Sequence, residues 1–338
     1  MPGLCRRALG SACGRGAVLD DQFFRRRQLT ELVTELVAGL HQSDSFHGVD
    51  RQCALPGGRV IAYREFGAPD GDAVLAFHGT PGSRLKFASA HRAAVDRHQR
   101  LISIDRWGYG GTTRHPAPGL DAFGRDMGEF LDALSISQAA VIGVSGGGPF
   151  AAAAAAVLGA RVCAMALVAP VGEFNRPANT PRELSAFHSF CFRVLPRVPG
   201  AVRLVFAPLR AAAILAPGLA AIMATRRAGK VDRTLMRNPA HRRGLGEAFR
   251  AGLLWSSQGA VTDMMLFSRR WDIDPSKIQC PAKVWIGSAD RNVPVKAAIS
   301  LARRIGTCEL EVLKGGGHFW IVENFSVVLD WTRGQAPR

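Results

Sequence analysis

The chain has 338 residues, of which 47% are hydrophobic and 21% charged, and this composition excludes a predominantly disordered protein. Its seven cysteines include no Cys-x-x-Cys pair, which argues against a zinc site or a disulfide framework and is typical of a cytoplasm-like compartment. The formal net charge of +16 permits attraction to acidic surfaces, but no nucleic-acid-binding module is visible, and arginine with abundant alanine and glycine is also typical of a GC-rich genome.

The first 50 residues are interpreted as a basic N-terminal extension. Residues 1–27 contain no continuous apolar stretch, so a secretory signal is not expected, and a transit peptide, a disordered tail and a mis-assigned start codon remain alternatives. One amphipathic helix follows, with apolar residues at helical spacing from Leu29 to Leu40. We expect its apolar face to pack on the protein's own body. A second subunit or a membrane surface are the alternative partners of this face. The cysteine usage predicts a cytoplasmic location, and the helix leaves membrane association open.

From residue 51 onward, short strands alternate with helices, which predicts an α/β protein with a largely parallel sheet and helices on both faces. This core is predicted to span residues 51–172 and 265–338, with a helix near Pro294 and a last helix from about Phe319 to Trp331. The predicted strands are Arg59 to Phe66, Ala73 to His78, Arg100 to Asp105, Ala139 to Val144, Val162 to Val168, Ala282 to Ile286 and Glu309 to Leu313.

Residues 173–264 interrupt this alternation and are predicted to form a helical lid over one end of the sheet. The segment contains many prolines and arginines and several helical apolar runs, but no obvious strand. Its most apolar stretch, residues 207–224, is interrupted by Arg210 and by the pair Pro217 and Gly218, so its uninterrupted runs are too short to cross a bilayer.

Ser145 lies in a Gly-x-Ser-x-Gly sequence, Gly143 to Gly147, between a predicted buried strand and an alanine-rich helix. Such a strand-to-helix turn holds a serine in a strained backbone conformation and needs small neighbours. The pentapeptide alone can arise by chance in a chain this rich in glycine. Its context therefore decides whether Ser145 is a nucleophile.

A serine nucleophile needs a base and an acid that orients the base. The predicted base is His318, in a glycine-rich loop directly after a strand, and the predicted acid is Asp290, which also follows a strand. A helix-terminal role for His318 and a capping role for Asp290 are the structural alternatives. Asp263 is a weaker rival for the acid because it falls within the lid segment.

The oxyanion formed during acyl transfer also needs hydrogen-bond donors. His78-Gly79-Thr80-Pro81-Gly82 follows a predicted strand and therefore lies at the same end of the sheet as Ser145. We predict that the backbone N–H groups of Thr80 and Gly146 form the oxyanion hole, while an ordinary Pro-Gly turn is the alternative.

These motifs, in this order, resemble the α/β-hydrolase superfamily, in the branch with a His-Gly-x-Pro-Gly oxyanion loop and a helical lid. The resemblance covers about residues 55 to 335 and includes Asp105 to Gly110, which is interpreted as a structural loop. Trp107 departs from the proline that family members commonly have there. The resemblance implies a mostly parallel eight-stranded sheet, a catalytic triad of Ser145, Asp290 and His318, and no metal or organic cofactor.

Serine at the nucleophile position argues against the epoxide-hydrolase and dehalogenase branches, which have aspartate there. The remaining reactions are ester hydrolysis, proline-iminopeptidase-like amide cleavage and carbon–carbon bond hydrolysis. Between residues 173 and 264 there are fourteen Lys and Arg against five Asp and Glu, a charge balance that repels a free amino terminus. The favoured prediction is therefore a carboxylic-ester hydrolase acting on a small uncharged or anionic acyl substrate.

Two alternative functions are also compatible with these motifs. A catalytically idle member of the fold would act as a ligand-binding protein, and a peripheral lipase would use the N-terminal helix and basic lid to contact a membrane. The sequence does not determine the acyl chain length or the oligomeric state.

Overall fold

The computed structural model describes residues 48–174 and 189–335, which belong to the second of two units of the chain, residues 1–46 and 47–338. The predicted helix from Leu29 to Leu40 and residues 175–188 of the predicted lid lie outside this range. An eight-stranded sheet with the order β1-β2-β4-β3-β5-β6-β7-β8 forms the centre of the described unit. Its strands are β1 Val49–Ala54, β2 Val60–Gly67, β3 Asp72–Phe77, β4 Gln99–Ile104, β5 Ala139–Val144, β6 Val162–Val168, β7 Ala282–Gly287 and β8 Cys308–Leu313.

Strands β3 to β8 run parallel to one another, whereas β2 pairs antiparallel with both β1 and β4. The predicted mostly parallel sheet of eight strands is confirmed. The edge strand β1 is the one whose position was not predicted, because five of its six residues are exposed and its sequence has no apolar alternation.

Helices cover both faces of the sheet and continue in the segment between β6 and β7. The N-terminal part of the unit contains a short 3-10 helix, Arg84–Ala90, followed by α1 His91–Val95, α2 Leu120–Ala133 and α3 Gly148–Leu158. Between β6 and β7 lie a short π-helical turn Phe190–Val194, a 3-10 turn Leu195–Arg197, and α4 Pro199–Leu215, α5 Pro217–Thr225, α6 Lys230–Leu235, α7 Pro239–Leu253 and α8 Gln258–Phe267. The C-terminal part contributes α9 Val295–Arg304, a 3-10 turn Trp320–Glu323 and α10 Phe325–Gly334.

The core lies on both faces of the central strands. Every residue of β5 is buried, as expected for a parallel strand covered by helices on both sides. On one face Phe77 packs edge-to-face on Phe123, which in turn packs on Phe150 of α3. On the other face Trp285 packs against the C-terminal helix through Trp331. This double packing fixes the carboxyl ends of β3, β5 and β7, where the candidate site lies.

The helices between β6 and β7, residues 189–267, are called the cap from here on. Within the described residues, no single helix has the length and apolar character needed to cross a membrane. One pair, Phe190–Arg197 with Pro199–Leu215, meets those criteria only jointly and is bent by 120°.

Candidate active site

Ser145 occupies a sharp turn between β5 and α3. Its backbone has φ +55°, a left-handed conformation that is strained for a residue with a side chain. The turn is possible because its neighbours have no side chains: a Cβ at Gly147 would lie 2.1 Å from the carbonyl oxygen of Phe77, and one at Gly143 would lie 2.7 Å from the carbonyl oxygen of Gly147. Strand and helix can therefore approach closely enough to hold the serine hydroxyl at the end of the sheet.

His318 and Asp290 form a buried hydrogen-bonded pair after β8 and β7. Nδ1 of His318 lies 2.8 Å from Oδ2 of Asp290, while Oδ1 of Asp290 accepts from the N–H groups of Asn292 and Val293 at 2.8 and 3.0 Å. Burial opposes ionisation of the carboxyl, but His318 and these N–H groups outweigh it, so the pKa of Asp290 lies below its ordinary 3.8. The carboxylate holds the imidazole with its Nδ1 occupied, which leaves Nε2 for another partner.

Ser145 and His318 line one cavity of about 310 Å³, together with Thr80 of the loop that follows β3. The structure thus brings four of the five predicted site residues together, three on the cavity wall and Asp290 directly behind His318. Most of the remaining wall is apolar and comes partly from the cap: Phe206, Leu209, Ala224, Leu245, Ala248, Phe249, Phe319 and Ile321.

Gly146, the fifth predicted residue, lies beside the loop that carries Thr80. A Cβ at Gly146 would lie 2.1 Å from Oγ1 of Thr80, so a side chain here would displace that loop. Gly79 lies next to Ser145, since a Cβ added there would lie 3.7 Å from the serine Oγ. The backbone after β3 and the backbone after the serine therefore border the same space, which is the arrangement an oxyanion hole requires.

Sequence reasoning missed a buried ionic cluster behind this loop. Asp263 of α8 accepts hydrogen bonds through Oδ2 from Arg106 at 2.5 Å, from Thr80 Oγ1 at 2.5 Å and from Tyr109 at 2.7 Å. Arg106 also donates to the carbonyl oxygen of His78 at 2.6 Å. Asp263, the alternative acid predicted from the sequence, thus bonds to the loop that carries Thr80. The carboxylate that contacts the His318 ring is that of Asp290.

His78 is part of the same scaffold and is neutral. Its Nε2 accepts from the N–H of Arg106 at 3.2 Å, so we place the proton on Nδ1, which lies 2.8 Å from the carbonyl oxygen of Gly79. Burial, and then the charge of Arg106, hold the pKa of His78 well below its ordinary 6.5. This histidine shapes the loop and does not line the cavity.

A second missed residue, Asp232 of cap helix α6, bonds to the loop that carries His318. Its carboxylate accepts from the backbone N–H of His318 at 3.0 Å and from that of Phe319 at 2.9 Å. Asp232 is 1% exposed, and a Cβ on Gly317 would lie 2.2 Å from its Oδ1. The glycine before the histidine therefore allows a cap carboxylate to approach the backbone and fix the loop.

Trp107, where the resemblance departs from the family pattern, is buried. Its indole N–H donates to Asp126 at 2.9 Å and its ring stacks on His115 with the centroids 4.5 Å apart. Neighbouring Asp105 accepts from the backbone N–H and the guanidinium of Arg84 at 2.7 and 2.8 Å. These bonds connect the loop from Asp105 to Gly110 with the chain that follows the Thr80 loop, which agrees with a structural role for the first loop.

Within residues 48–174 and 189–335, no three His, Cys, Asp or Glu side chains converge as metal ligands. A serine on a strand-to-helix turn, with a histidine and a carboxylate at the same end of a mostly parallel sheet, defines the α/β-hydrolase class. The chain belongs to the α/β-hydrolase fold family, which it matches over residues 72–325.

Known proteins similar to this chain include lipases and esterases. Monoacylglycerol lipase ABHD6 of Mus musculus is 24% identical over 286 residues, covering 73% of this chain and 74% of the relative. An alpha/beta hydrolase fold protein from Nakamurella multipartita superposes with a TM-score of 0.63 at 25% identity, over 85% of this chain and 98% of the other. A thermophilic esterase from Thermogutta terrifontis gives a TM-score of 0.62 at 20% identity, over 86% of this chain and all, 100%, of that one.

Proposed function

We propose that the protein hydrolyses a carboxylic ester through an acyl-enzyme on Ser145. The observation that carries this proposal is the shared cavity of Ser145 and His318, with Asp290 bonded to Nδ1 of His318. A serine hydroxyl is a weak nucleophile at neutral pH, and an oriented imidazole is the group that activates it in this class of site.

In the proposed mechanism, His318 accepts the proton of Ser145 through Nε2 while the serine oxygen attacks the ester carbonyl. The developing oxyanion is stabilised by the backbone N–H groups of Thr80 and Gly146. The protonated imidazole then donates its proton to the departing alcohol, which leaves an acyl group on Ser145. Water, deprotonated by His318, hydrolyses this acyl-enzyme and restores the serine.

The charges around the cavity favour an ester over a peptide with a free amino terminus. Of the described residues that line the cavity, none is Asp or Glu, and Lys86 is among them. An ammonium group on the substrate would meet this cation without a compensating carboxylate. The name of the relative in Mus musculus, a monoacylglycerol lipase, agrees with ester chemistry.

Turnover of p-nitrophenyl butyrate by Ser145→Ala tests the proposal. We expect kcat to fall by at least about 10³-fold, because the nucleophile is removed. Ser276→Ala, at an exposed serine outside the cavity, is the matched control and should retain wild-type turnover. Ester turnover that survives Ser145→Ala would refute the acyl-enzyme mechanism.

Two alternative functions give different results in the same preparation. An amidase of the iminopeptidase kind would release p-nitroaniline from a prolyl anilide faster than it cleaves the ester. A non-catalytic ligand-binding protein would cleave neither compound and would not react with a fluorophosphonate. A series of p-nitrophenyl esters of increasing chain length would then define the acyl group accepted.

A further inference from the structure

Lys86 is a cationic side chain in the wall of the candidate active site. It belongs to the short 3-10 helix Arg84–Ala90, which follows directly after the loop that contains Thr80. The helix is fixed at its start, where the hydroxyl of Ser83 accepts from the N–H of Leu85 and Asp105 accepts from that of Arg84. Lys86 therefore projects from a rigid element into the cavity that contains Ser145.

The ammonium group of Lys86 has no acidic partner among the residues that the structure describes. Its Nζ lies over the ring of Phe319, 5.7 Å from the ring centroid. Desolvation lowers the pKa of Lys86 from 10.5 to about 8, and no carboxylate contributes to raise it. Lys86 is partly buried in a mainly apolar wall that offers it no carboxylate, so an anionic group on a bound ligand would find an uncompensated positive charge there.

We propose that Lys86 binds a free carboxylate on the substrate, so that the preferred substrate is an ester that carries a second, ionised carboxyl group. This inference rests on the proposed ester hydrolysis and specifies its substrate class. A carboxylate is favoured over a phosphate, because phosphate sites are typically built from several donors such as an arginine fork. The described wall of this cavity contains no arginine, and its titratable side chains are Lys86 and His318.

The size and polarity of the cavity support a small substrate of this kind. Its volume of about 310 Å³ lies at the lower end of the range for ligand pockets, which is roughly 300 to 1,000 Å³. The apolar side chains from the cap would surround the methylene groups between the ester and the carboxylate. In this low-dielectric environment, a single charge pair discriminates more strongly than it would in water.

Two matched substrate pairs test the proposal in a pH-stat assay at pH 7. Monomethyl adipate is compared with methyl hexanoate, which has a methyl group in place of the carboxylate on the acyl side. Sodium 4-acetoxybutanoate is compared with butyl acetate, which makes the same replacement on the alcohol side. We expect wild-type kcat/KM to favour the anionic member of at least one pair by about 10- to 100-fold, the range of a charged hydrogen bond.

Lys86→Met should reduce that ratio of kcat/KM values about tenfold or more, and Lys86→Arg should preserve most of it. Lys277→Met, at an exposed lysine outside the cavity, is the matched control and should leave the ratio unchanged. The proposal is wrong if wild-type enzyme favours the neutral ester in both pairs, or if Lys86→Met lowers kcat/KM equally for both members of a pair.

Binding to the Ser145→Ala protein separates this proposal from the proposed hydrolysis. Calorimetry should show that monomethyl adipate or 4-acetoxybutanoate binds more tightly than its neutral partner, and that Lys86→Met in the same background removes the difference. Neutral esters cleaved in a Ser145-dependent manner without any anionic preference would refute the role of Lys86 alone. Absence of turnover on all four esters, with preferential binding retained, would refute the ester hydrolysis alone.

Discussion

The carboxylate of Asp290 determines which nitrogen of His318 carries the proton. Its 2.8 Å contact with Nδ1 keeps the proton on that atom and leaves the lone pair of Nε2 free to act as a base. Because the carboxylate is held by two backbone N–H groups as well, its position does not depend on the histidine.

Asp290→Asn should therefore lower kcat by on the order of 10³- to 10⁴-fold with little change in structure, because the amide favours the wrong tautomer. Kinetics and circular dichroism of the variant check this expectation. Asp330→Asn, which changes a surface carboxylate paired with Arg97, is the matched control. Retention of near-wild-type kcat by Asp290→Asn would remove Asp290 from the triad.

Asp263 is expected to stabilise the oxyanion loop and not to orient the base. Its ion pair with Arg106 is almost completely buried, with side-chain exposures of 0% for the arginine and 2% for the aspartate. Asp263→Ala leaves the arginine charge without its partner, and we expect the free energy of unfolding to fall by about 3–5 kcal/mol.

Chemical denaturation of Asp263→Ala measures this loss, and the double variant with Arg106→Met should recover part of it, because neither charge is then left unpaired. The contrary result is a variant with wild-type stability and a kcat as low as that of Asp290→Asn. That result would identify Asp263 as the acid of the triad.

The cap and the loop that carries His318 are connected by the side chain of Asp232. Asp232→Ala removes both hydrogen bonds to the backbone of this loop. We expect kcat to fall about 10- to 100-fold, because a small displacement of the imidazole disrupts proton transfer. Asp232→Asn retains one acceptor and should give an intermediate kcat.

Separate measurement of kcat and KM for these variants tests the connection. Asp96→Ala, at an exposed aspartate paired with Arg92, controls for the loss of a carboxylate and should match wild type. An increase in KM with unchanged kcat would show that Asp232 supports the substrate pocket and does not position His318.

The sequence predicted those elements that have a strong apolar pattern. Both β5 and β6 have the predicted bounds, because they are buried over nearly their whole length. The last helix begins at Phe325 instead of about Phe319, since the residues from Trp320 to Glu323 form a separate 3-10 turn that the apolar pattern does not distinguish from a helix.

Motif order predicted which residues meet at the site, but it did not predict the contacts that support them. Ser145, His318 and Thr80 each follow a strand, so parallel topology alone brings them to one end of the sheet. Asp232 bonds to backbone N–H groups 86 and 87 positions away. Nearly every residue has such a group, so the sequence does not show which of them a carboxylate will contact. Arg106 and Asp263 are 157 positions apart, and only the folded cap brings them into contact.

For the molecule as a whole, net charge is the property that connects the composition with the proposed substrate. The cap, residues 189–267, contains twelve Lys and Arg against three Asp and Glu, a positive charge balance that would attract an anionic ester. Lys86 would then contact the substrate carboxylate directly, so the net charge of the cap and the charge of Lys86 favour the same class of substrate.

Titration of Lys86 should make the substrate preference depend on pH. Lys86 is protonated below its pKa of about 8 and neutral above it, so the ratio of kcat/KM for an anionic ester to that for its neutral partner should be constant near pH 6 to 7 and should fall as the pH rises past about 8. Using a ratio cancels every pH effect that the anionic and the neutral ester share.

Profiles from pH 6 to 9.5 for wild-type and Lys86→Met enzyme measure this ratio. The variant, which has no titratable group at position 86, should give a low and flat ratio. A variant ratio as high as that of wild type, or one that still falls near pH 8, would exclude Lys86 as the group responsible. A wild-type ratio that stays constant through pH 9.5 would contradict the lowered pKa of Lys86.

Mass spectrometry of the protein after treatment with a fluorophosphonate tests whether Ser145 is an activated nucleophile. We predict one adduct per chain, located on Ser145, together with loss of esterase activity in proportion to labelling. Asp290→Asn should react more slowly, and Ser145→Ala should not react. An unlabelled wild-type protein, or an adduct that persists in Ser145→Ala, would contradict this role of Ser145.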